Sequence, residues 1–198
     1  GSANIWGYRN KMEYTFSNKR WLSWEQMRSG EMVDNRNGAG FHIPGAFDKV
    51  LDIEQCHLQD SIGDRIRLFV KHYGMEHGIP FYDLREQRGF LRTLMIRTLH
   101  TGEIMVVLSV GEDNPELIRE VLDAVRAEFP QITSLMYVVN TKVNDTIGDL
   151  DVQLHSGRPY VEEEMEGLHF RIGPKSFYQT NSLQAYELYK VARNFAGL

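Results

Sequence analysis

The sequence lacks several features that would assign it to a common class. Its only cysteine is Cys56, so no disulfide can form within the chain and a reducing compartment is expected. No apolar run approaches the roughly 20 residues that cross a bilayer, and no basic and apolar signal segment opens the chain. We therefore expect a soluble, cytoplasmic protein without a membrane partner.

Local motifs of the common enzyme classes are also missing. There is no Walker-type phosphate loop, no Gly-x-Gly-x-x-Gly, no His-Glu-x-x-His and no nucleophile elbow. Cys56 and His57 are neighbours, and neighbouring residues on a strand point to opposite faces, which argues against a catalytic pair. The seven histidines show no metal-ligand spacing, and we expect the acidic residues 162–164 to form a solvated edge rather than a metal site.

Charge is unevenly spread along the chain. The formal net charge of -5 argues against a self-sufficient nucleic-acid binder, which usually has a concentrated basic surface. Residues 1–40 nevertheless hold six Lys or Arg against four Asp or Glu, and residues 171–198 hold four against one. Either these basic ends meet in space and form a patch, or the asymmetry is that of an ordinary solvated surface.

Hydrophobic periodicity predicts more strands than helices. Met12, Tyr14 and Phe16 alternate with polar residues, as in a strand with one buried face. Residues 41–43 and 47–53 flank Pro44-Gly45, a sequence that favours a tight hairpin turn. Further strands are predicted at residues 90–98, 103–110, 132–139, 152–155, 159–162 and 168–172.

Three helices are predicted from helical spacing and capping residues. They cover residues 60–77, residues 115–129 after the cap Asn114 and Pro115, and the chain from residue 182 after the cap Asn181. Residues 103–139 then form a β-α-β unit. The predicted fold class is α+β, a single unit with a mixed, largely antiparallel sheet and about three helices.

Four motifs occur in an order that resembles one family. They are Tyr-Arg-Asn-Lys-Met-Glu-Tyr-Thr-Phe-Ser at residues 8–17, Ile-Glu-Gln-Cys at 53–56, Arg-Gly-Phe-Leu-Arg-Thr-Leu-Met-Ile-Arg at 88–97 and Phe-Tyr-Gln-Thr-Asn at 177–181. Together they resemble the S-adenosylmethionine-dependent RNA uracil-5-methyltransferases, which form 5-methyluridine, and most closely the branch that acts on 23S rRNA.

The resemblance implies a division of the chain. Members of the family typically have an RNA-binding barrel, a central α/β domain and a Rossmann-like methyltransferase domain. Residues 3–176 would be the central RNA- and substrate-binding domain, and residues 177–198 the start of the methyltransferase domain, while residues 1–2 look like the remnant of a cloning site. The resemblance places the nucleophilic cysteine, the cofactor loop and the catalytic base beyond Leu198, so the chain by itself is expected to be inactive.

The resemblance also implies roles for three residues. Gln179 would contact S-adenosylmethionine at its junction with the target uracil, and we expect its side chain to lie near the surface. Phe177 would stack on the target base, the alternative being a core residue of the last strand. Cys56 would be the last of four ligands of a [4Fe-4S] cluster, which cannot assemble without the other three; otherwise it is a small buried side chain.

Four basic residues are candidate RNA contacts. Arg9, Lys11, Arg92 and Arg97 can neutralise phosphates or stack on bases, and the alternative is that local carboxylates pair with them at the surface. Strand alternation predicts that Arg9 and Lys11 share a face and that Arg92 and Arg97 do not.

Three functional hypotheses remain at this point. The first is a fragment of an enzyme that methylates carbon 5 of a flipped-out uridine in 23S rRNA. The second is a non-catalytic RNA-binding or scaffold module with the same fold. The third is an unrelated α+β domain without a nucleic-acid role. The sequence does not indicate an oligomeric state.

Overall fold

The computed structural model describes residues 2–30 and 34–197. Within these ranges lie nine strands, β1 (Lys11–Ser17), β2 (Gly38–Ile43), β3 (Ala46–Asp52), β4 (Leu91–Thr98), β5 (Ile104–Val110), β6 (Ser134–Val139), β7 (Gln153–Gly157), β8 (Val161–Met165) and β9 (Leu168–Ile172). The same ranges contain four helices, α1 (Trp24–Arg28), α2 (Ser61–Glu76), α3 (Pro115–Glu128) and α4 (Ser182–Ala196).

Seven of the strands form one sheet in the order β3-β2-β1-β4-β5-β6-β7, and β8 and β9 form a separate hairpin. Every pair in the large sheet is antiparallel except β5 and β6, which are parallel and joined by α3. This confirms the α+β class and the mixed, largely antiparallel sheet. Residues 104–139 form the predicted β-α-β unit.

Two tight turns of the sheet contain a glycine with a positive φ angle. Gly45 in the β2–β3 turn and Gly102 between β4 and β5 have φ values of +79° and +85°, a region that residues with a Cβ rarely adopt. In α2, the Asp60 side chain accepts a hydrogen bond from the backbone N–H of Ile62, and in α3 the Asn114 side chain caps a helix that begins at Pro115. Both helices therefore begin where the sequence predicts.

Helices α2 and α3 cover one face of the large sheet. The core beneath them contains alternate side chains of β1 and β4, including Tyr14, Phe16, Leu94 and Ile96, each with 0% exposure. Burying aliphatic and aromatic side chains of this size contributes about 1.5–3 kcal/mol each. This apolar face fixes the register of β1, because a slip by one residue would turn Lys11 and Glu13 into the core.

The opposite face is covered only in part. The β8–β9 hairpin packs Val161 and Ile172 against Met95 and Met105 in a second core. On β1 and β4, the residues that share this face include Lys11, Glu13, Thr93 and Arg97, and we call the uncovered region around them the open face. Its polar side chains make it the surface available to a ligand.

Several elements differ from the sequence predictions. The predicted strand at residues 159–162 is β8 at Val161–Met165, and the five-residue helix α1 was not predicted. The signal for α1 was present, because Ser23 and Gln26 form a reciprocal capping box. The expected solvated acidic edge is wrong for Glu163, which is 1% exposed and accepts hydrogen bonds from the backbone N–H of His100 and the Ser182 hydroxyl.

No helix among the described residues combines the length and apolarity needed to cross a membrane. The division at residue 177 stays a prediction, and Gly1 and Leu198 lie outside the described residues.

Candidate functional site

The segment at residues 177–182 lies beside the start of β1 and is held there by Asn10. The backbone N–H of Asn10 donates to the carbonyl of Thr180 at 2.7 Å, and its side-chain Nδ2 donates to the carbonyl of Gln179 and to the Ser182 hydroxyl, both at 2.8 Å. The backbone N–H of Thr98 in turn donates to the Asn10 carbonyl at 2.9 Å. The two basic ends of the sequence therefore meet at β1 and β4.

A groove of about 450 Å³ opens where they meet. Its lining includes Arg9, Lys11, Glu13, Arg97, Phe177 and Tyr178. Its volume falls within the range of typical small-molecule sites. Four of the residues named from the sequence therefore line one concave surface on the open face.

Arg97 is the floor of this groove and is only partly hydrogen-bonded. The residue has 0% exposure, and its Nη2 donates to the carbonyl of Ser176 at 3.2 Å. Its Nε and Nη1 have no hydrogen-bond partner among the described residues. Burial lowers the pKa of Arg97, while the Glu13 carboxylate acts in the opposite direction. Burying a cation whose N–H donors lack acceptors destabilises the fold, and a ligand with oxygen acceptors would remove this penalty. The site therefore suits an oxygen-rich ligand.

Phe177 forms an exposed wall of the groove. Its side chain is 86% exposed, so the alternative reading of Phe177 as a core residue is wrong. Neighbouring Tyr178 packs against the second core, and burial, followed by the charge of Glu163, raises its pKa. Tyr178 therefore keeps a neutral hydroxyl, and Phe177 offers a free ring for stacking.

Gln179 is half-buried, which agrees with a side chain that lies near the surface. Its backbone carbonyl is fixed by Asn10, but its side-chain amide has no hydrogen-bond partner within the described ranges. The amide can therefore donate to and accept from a ligand at once. Its role in cofactor binding stays a prediction.

Arg9 and Lys11 both line the groove, as strand alternation predicts. Lys11 forms an ion pair with Glu13 at 2.7 Å. Its charge is therefore paired with a local carboxylate, which was the alternative to an RNA contact. Arg9 has no ion-pair partner in the part of the chain that the structure describes, and its Nε is buried without a hydrogen bond. Of the two cations, Arg9 is therefore the one that can bind a ligand without first breaking an ion pair.

Arg92 is not among the residues that line the groove, and its role in RNA binding stays a prediction that its contacts do not favour. It is 1% exposed, and its guanidinium donates to the carbonyls of Asn140, Lys142 and Asn144 and to the Asp145 carboxylate. The centre of the guanidinium also lies 4.5 Å from the centre of the Tyr82 ring. These contacts use the side chain to hold the loop after β6, so no face remains for a phosphate.

Cys56 is a free, buried thiol on the opposite side of β1. Its backbone N–H donates to both carboxylate oxygens of Asp64, each at 3.0 Å, and Asp64 pairs with the buried Arg67. Among the described residues no group of three or more His, Cys, Asp or Glu side chains could hold a metal ion. An iron-sulfur cluster needs four ligands, and Cys56 supplies one. The role of Cys56 as a cluster ligand therefore stays a prediction that requires three thiols from outside this chain.

The sequence did not single out the residues that assemble this site. Asn10, Ser176 and Ser182 join its walls through hydrogen bonds between segments that are distant in the sequence. Asn10 belongs to the first motif, so its position inside that motif was the available signal.

Comparisons with known proteins agree with the fold and the motifs. The chain is 58% identical over 203 residues to an uncharacterized RNA methyltransferase of Porphyromonas gingivalis and 56% identical over 201 residues to one of Bacteroides thetaiotaomicron. Each comparison covers 100% of this chain and 44% of the relative, so the chain spans less than half the length of these proteins. A third relative, from Chlorobaculum tepidum, is 34% identical over 92% of the chain and 38% of its own length. No protein-family model matches the chain.

A solved structure has the same fold. It is the Pyrococcus abyssi tRNA (uracil-54, C5)-methyltransferase in complex with S-adenosyl-L-homocysteine, with a TM-score of 0.72 and 24% identity over 98% of this chain and 42% of that one. At this identity the similarity establishes the fold alone. The sequence relatives, which match the whole chain at 56–58% identity, lead to one conclusion: the chain belongs to the RNA methyltransferase family.

Proposed function

We propose that the protein containing this chain is an S-adenosylmethionine-dependent methyltransferase that acts on carbon 5 of a uridine in 23S rRNA. In this proposal the chain contributes the RNA-binding groove and one wall of the cofactor and uracil site. The uracil C5 specificity is supported by the activity for which the structural neighbour is named and by the four sequence motifs. The preference for 23S rRNA rests on the motifs, which resemble the ribosomal branch.

The observation that carries the proposal is that the partly unpaired Arg97 and the exposed ring of Phe177 line one groove. Arg97, whose guanidinium is buried and has two donors without a partner among the described residues, lines the same groove as the 86% exposed aromatic side chain of Phe177. An RNA nucleotide combines the matching groups, since it has carbonyl and phosphate acceptors beside a flat base. Among the residues that the structure describes, no acidic side chain other than Glu13 lines this groove.

Each residue of the groove then has a distinct task. Extruding a base from its stack costs a few kcal/mol, and the Phe177 ring offsets part of this by stacking on the extruded base. Arg97 donates to an acceptor of the nucleotide, and Arg9, which lines the same groove, is a cation for the backbone phosphates. Lys11 is a second cation for the phosphates when a phosphate displaces Glu13 from its ammonium group.

Gln179 fits the proposed cofactor contact. S-adenosylmethionine, when bound, supplies the methyl group. The half-buried amide of Gln179 has no partner among the described residues, and the bond from Asn10 fixes the backbone from which it projects. Gln179 can therefore hold a polar atom of the cofactor or orient a uracil carbonyl without first breaking a bond within the chain.

Mapping of 5-methyluridine tests this function. A strain without the gene is expected to lose the modification at one or more uridines of 23S rRNA and to keep it in tRNA. Loss in tRNA alone would show that the ribosomal assignment is wrong. Complementation with the full-length gene should restore the modification, and a full-length gene with Arg97→Met should restore it poorly. A purified full-length protein that binds RNA but transfers no methyl group would instead support the scaffold hypothesis.

A further inference from the structure

A second cavity of about 290 Å³ lies on the open face, further along β4. It shares Lys11 and Glu13 with the groove, so the two spaces are adjacent along β1. Arg97 and Thr93 are four positions apart on β4, a distance of about 13 Å at about 3.3 Å per residue. A short stretch of single-stranded RNA can therefore reach from one to the other.

The floor of this cavity is largely apolar. Met95 on β4 pairs with Val107 on β5, Val138 on β6 pairs with Ser109 two residues further along β5, and each of the three apolar residues is at most 5% exposed. Stacked against a sheet, such side chains present a surface that matches the face of an aromatic ring. Sheets that bind RNA use their faces in this way, usually with aromatic side chains.

One polar group in the floor has no partner. Ser109 is 2% exposed and lines the cavity, and its hydroxyl makes no hydrogen bond among the described residues. Thr93 lies directly opposite on β4 and also lines the cavity. A buried hydroxyl without a partner costs free energy, which a ligand with a polar edge would recover.

The rim of the cavity favours a ligand without charge. Its carboxylates are already paired, Glu13 with Lys11 at 2.7 Å and Asp145 with Arg92 at 2.8 Å. The other lysine of the rim, Lys175, donates to the carbonyl of Leu150. A phosphate in the cavity would be repelled by the two carboxylates, whereas a neutral base in the cavity would not be.

We propose that this cavity binds a nucleobase that flanks the target uridine on the same RNA strand, with Ser109 and Thr93 reading its polar edge. The proposal rests on the proposed function, since it needs an RNA strand in the neighbouring groove. It makes Ser109 a specificity-determining residue, although Ser109 does not line the groove assigned to the target nucleotide.

The test uses the full-length protein and RNA stem-loops that contain the target uridine, with an abasic residue placed at each flanking position in turn. For the wild type, one abasic position is expected to weaken binding about 5-fold or more, because a stacked base is lost. Ser109→Ala should weaken binding of the intact RNA about 2- to 10-fold, and this difference should disappear on the RNA that is abasic at that position.

Ser134→Ala is the matched control. Ser134 lies on β6, has 0% exposure and a hydroxyl without a partner among the described residues, but does not line the cavity. Thr93→Val removes the opposite hydroxyl with little change in volume and provides a second variant if Ser109→Ala does not fold. Equal affinities of the Ser109, Thr93 and Ser134 variants for every RNA, with a wild type that binds and methylates normally, would overturn the subsite and leave the proposed function standing. A wild type that binds no RNA would overturn both.

Discussion

The side-chain amide of Asn10 donates a hydrogen bond to the backbone carbonyl of Gln179 at 2.8 Å, across 169 residues of sequence. The same amide also reaches the Ser182 hydroxyl at the first residue of α4. Asn10 thus sets the position of the segment that presents Phe177 and Gln179, although it lies at the other end of the sequence.

Asn10→Ala should loosen this segment. The substitution removes two hydrogen bonds, each of which contributes about 0.5–1.5 kcal/mol, so the free energy of unfolding should fall by about 1–3 kcal/mol. Urea denaturation of the chain measures the change. Asn4→Ala is the control, because Asn4 is exposed and its side chain makes no hydrogen bond to the described residues. Equal stability of the two variants would contradict the tethering role.

Arg97→Met should separate stability from RNA binding. The substitution replaces a buried, incompletely paired cation by an apolar side chain of similar length, so the free energy of unfolding should stay the same or rise by about 1 kcal/mol. RNA affinity of the full-length protein should fall about 10-fold or more, because a charged hydrogen-bond donor to the nucleotide is lost. Denaturation and fluorescence anisotropy measure the two effects. A large loss of stability with unchanged affinity would show that Arg97 is only structural.

Arg92→Met on the same strand should have the opposite result. Its guanidinium makes one bond to Asp145 and three to backbone carbonyls, so the change leaves four acceptors without their donor. We expect a loss of about 3–5 kcal/mol in the free energy of unfolding, the range for breaking a buried ion pair. A thermal melt of the chain provides the measurement. A variant as stable as the wild type would disprove the structural role assigned to Arg92.

Phe177→Ala should affect RNA binding and spare the fold. Because the ring is 86% exposed, its removal should change the free energy of unfolding by no more than about 0.5 kcal/mol. Loss of base stacking should weaken RNA binding of the full-length protein by about 1–3 kcal/mol. Phe47→Ala, at an exposed position of the β2–β3 hairpin, is the control and should bind RNA normally. Equal affinities of the two variants would rule out stacking by Phe177.

Asp83 should make the fold sensitive to acid. Burial acts to raise the pKa of Asp83, but hydrogen bonds from Lys19, from the backbone N–H of Glu86 and from Asn18 outweigh it and hold the pKa well below its ordinary value. A depressed folded pKa stabilises the fold above the unfolded value of about 3.9, and this contribution is lost as the pH falls below it.

Asp83→Asn should therefore make the free energy of unfolding depend less on pH under acidic conditions. The difference in unfolding free energy between about pH 6 and about pH 3 should be smaller for the variant than for the wild type. Urea titrations at the two pH values measure it. The control is Asp113→Asn, at an exposed position without an ion pair among the described residues. A variant with the same pH dependence as the wild type would contradict the assignment to Asp83.

Periodicity predicted most of the fold because each element buries one face. The alternation of Met12, Tyr14 and Phe16 and the caps Asn114 and Asn181 located β1, α3 and α4 from a few local residues. The site was less predictable. Arg92 and Arg97 are five positions apart on one strand, and only the tertiary structure shows that the first holds a loop while the second is the floor of the groove.

The same limit applies to buried charge. Glu163 stands in a run of three glutamates, which is typical of a solvated edge, yet its carboxylate is covered and accepts a hydrogen bond from the Ser182 hydroxyl. Its partners come from the end of β4 and the start of α4, which are distant in sequence. No pattern within the run itself distinguishes Glu163 from its neighbours.

The sheet order has a consequence for the order in which the protein folds. Strand β1 is synthesised before the other strands of the sheet but lies in its interior, where residues 11–15 pair with residues 93–97 of β4. Until β4 leaves the ribosome, the three-stranded unit of β1, β2 and β3 has an unpaired edge along β1 that can join another chain. Pairing across so long a loop is intrinsically slow, so β1–β4 closure should limit the folding rate, and crowded nascent chains should aggregate through this edge.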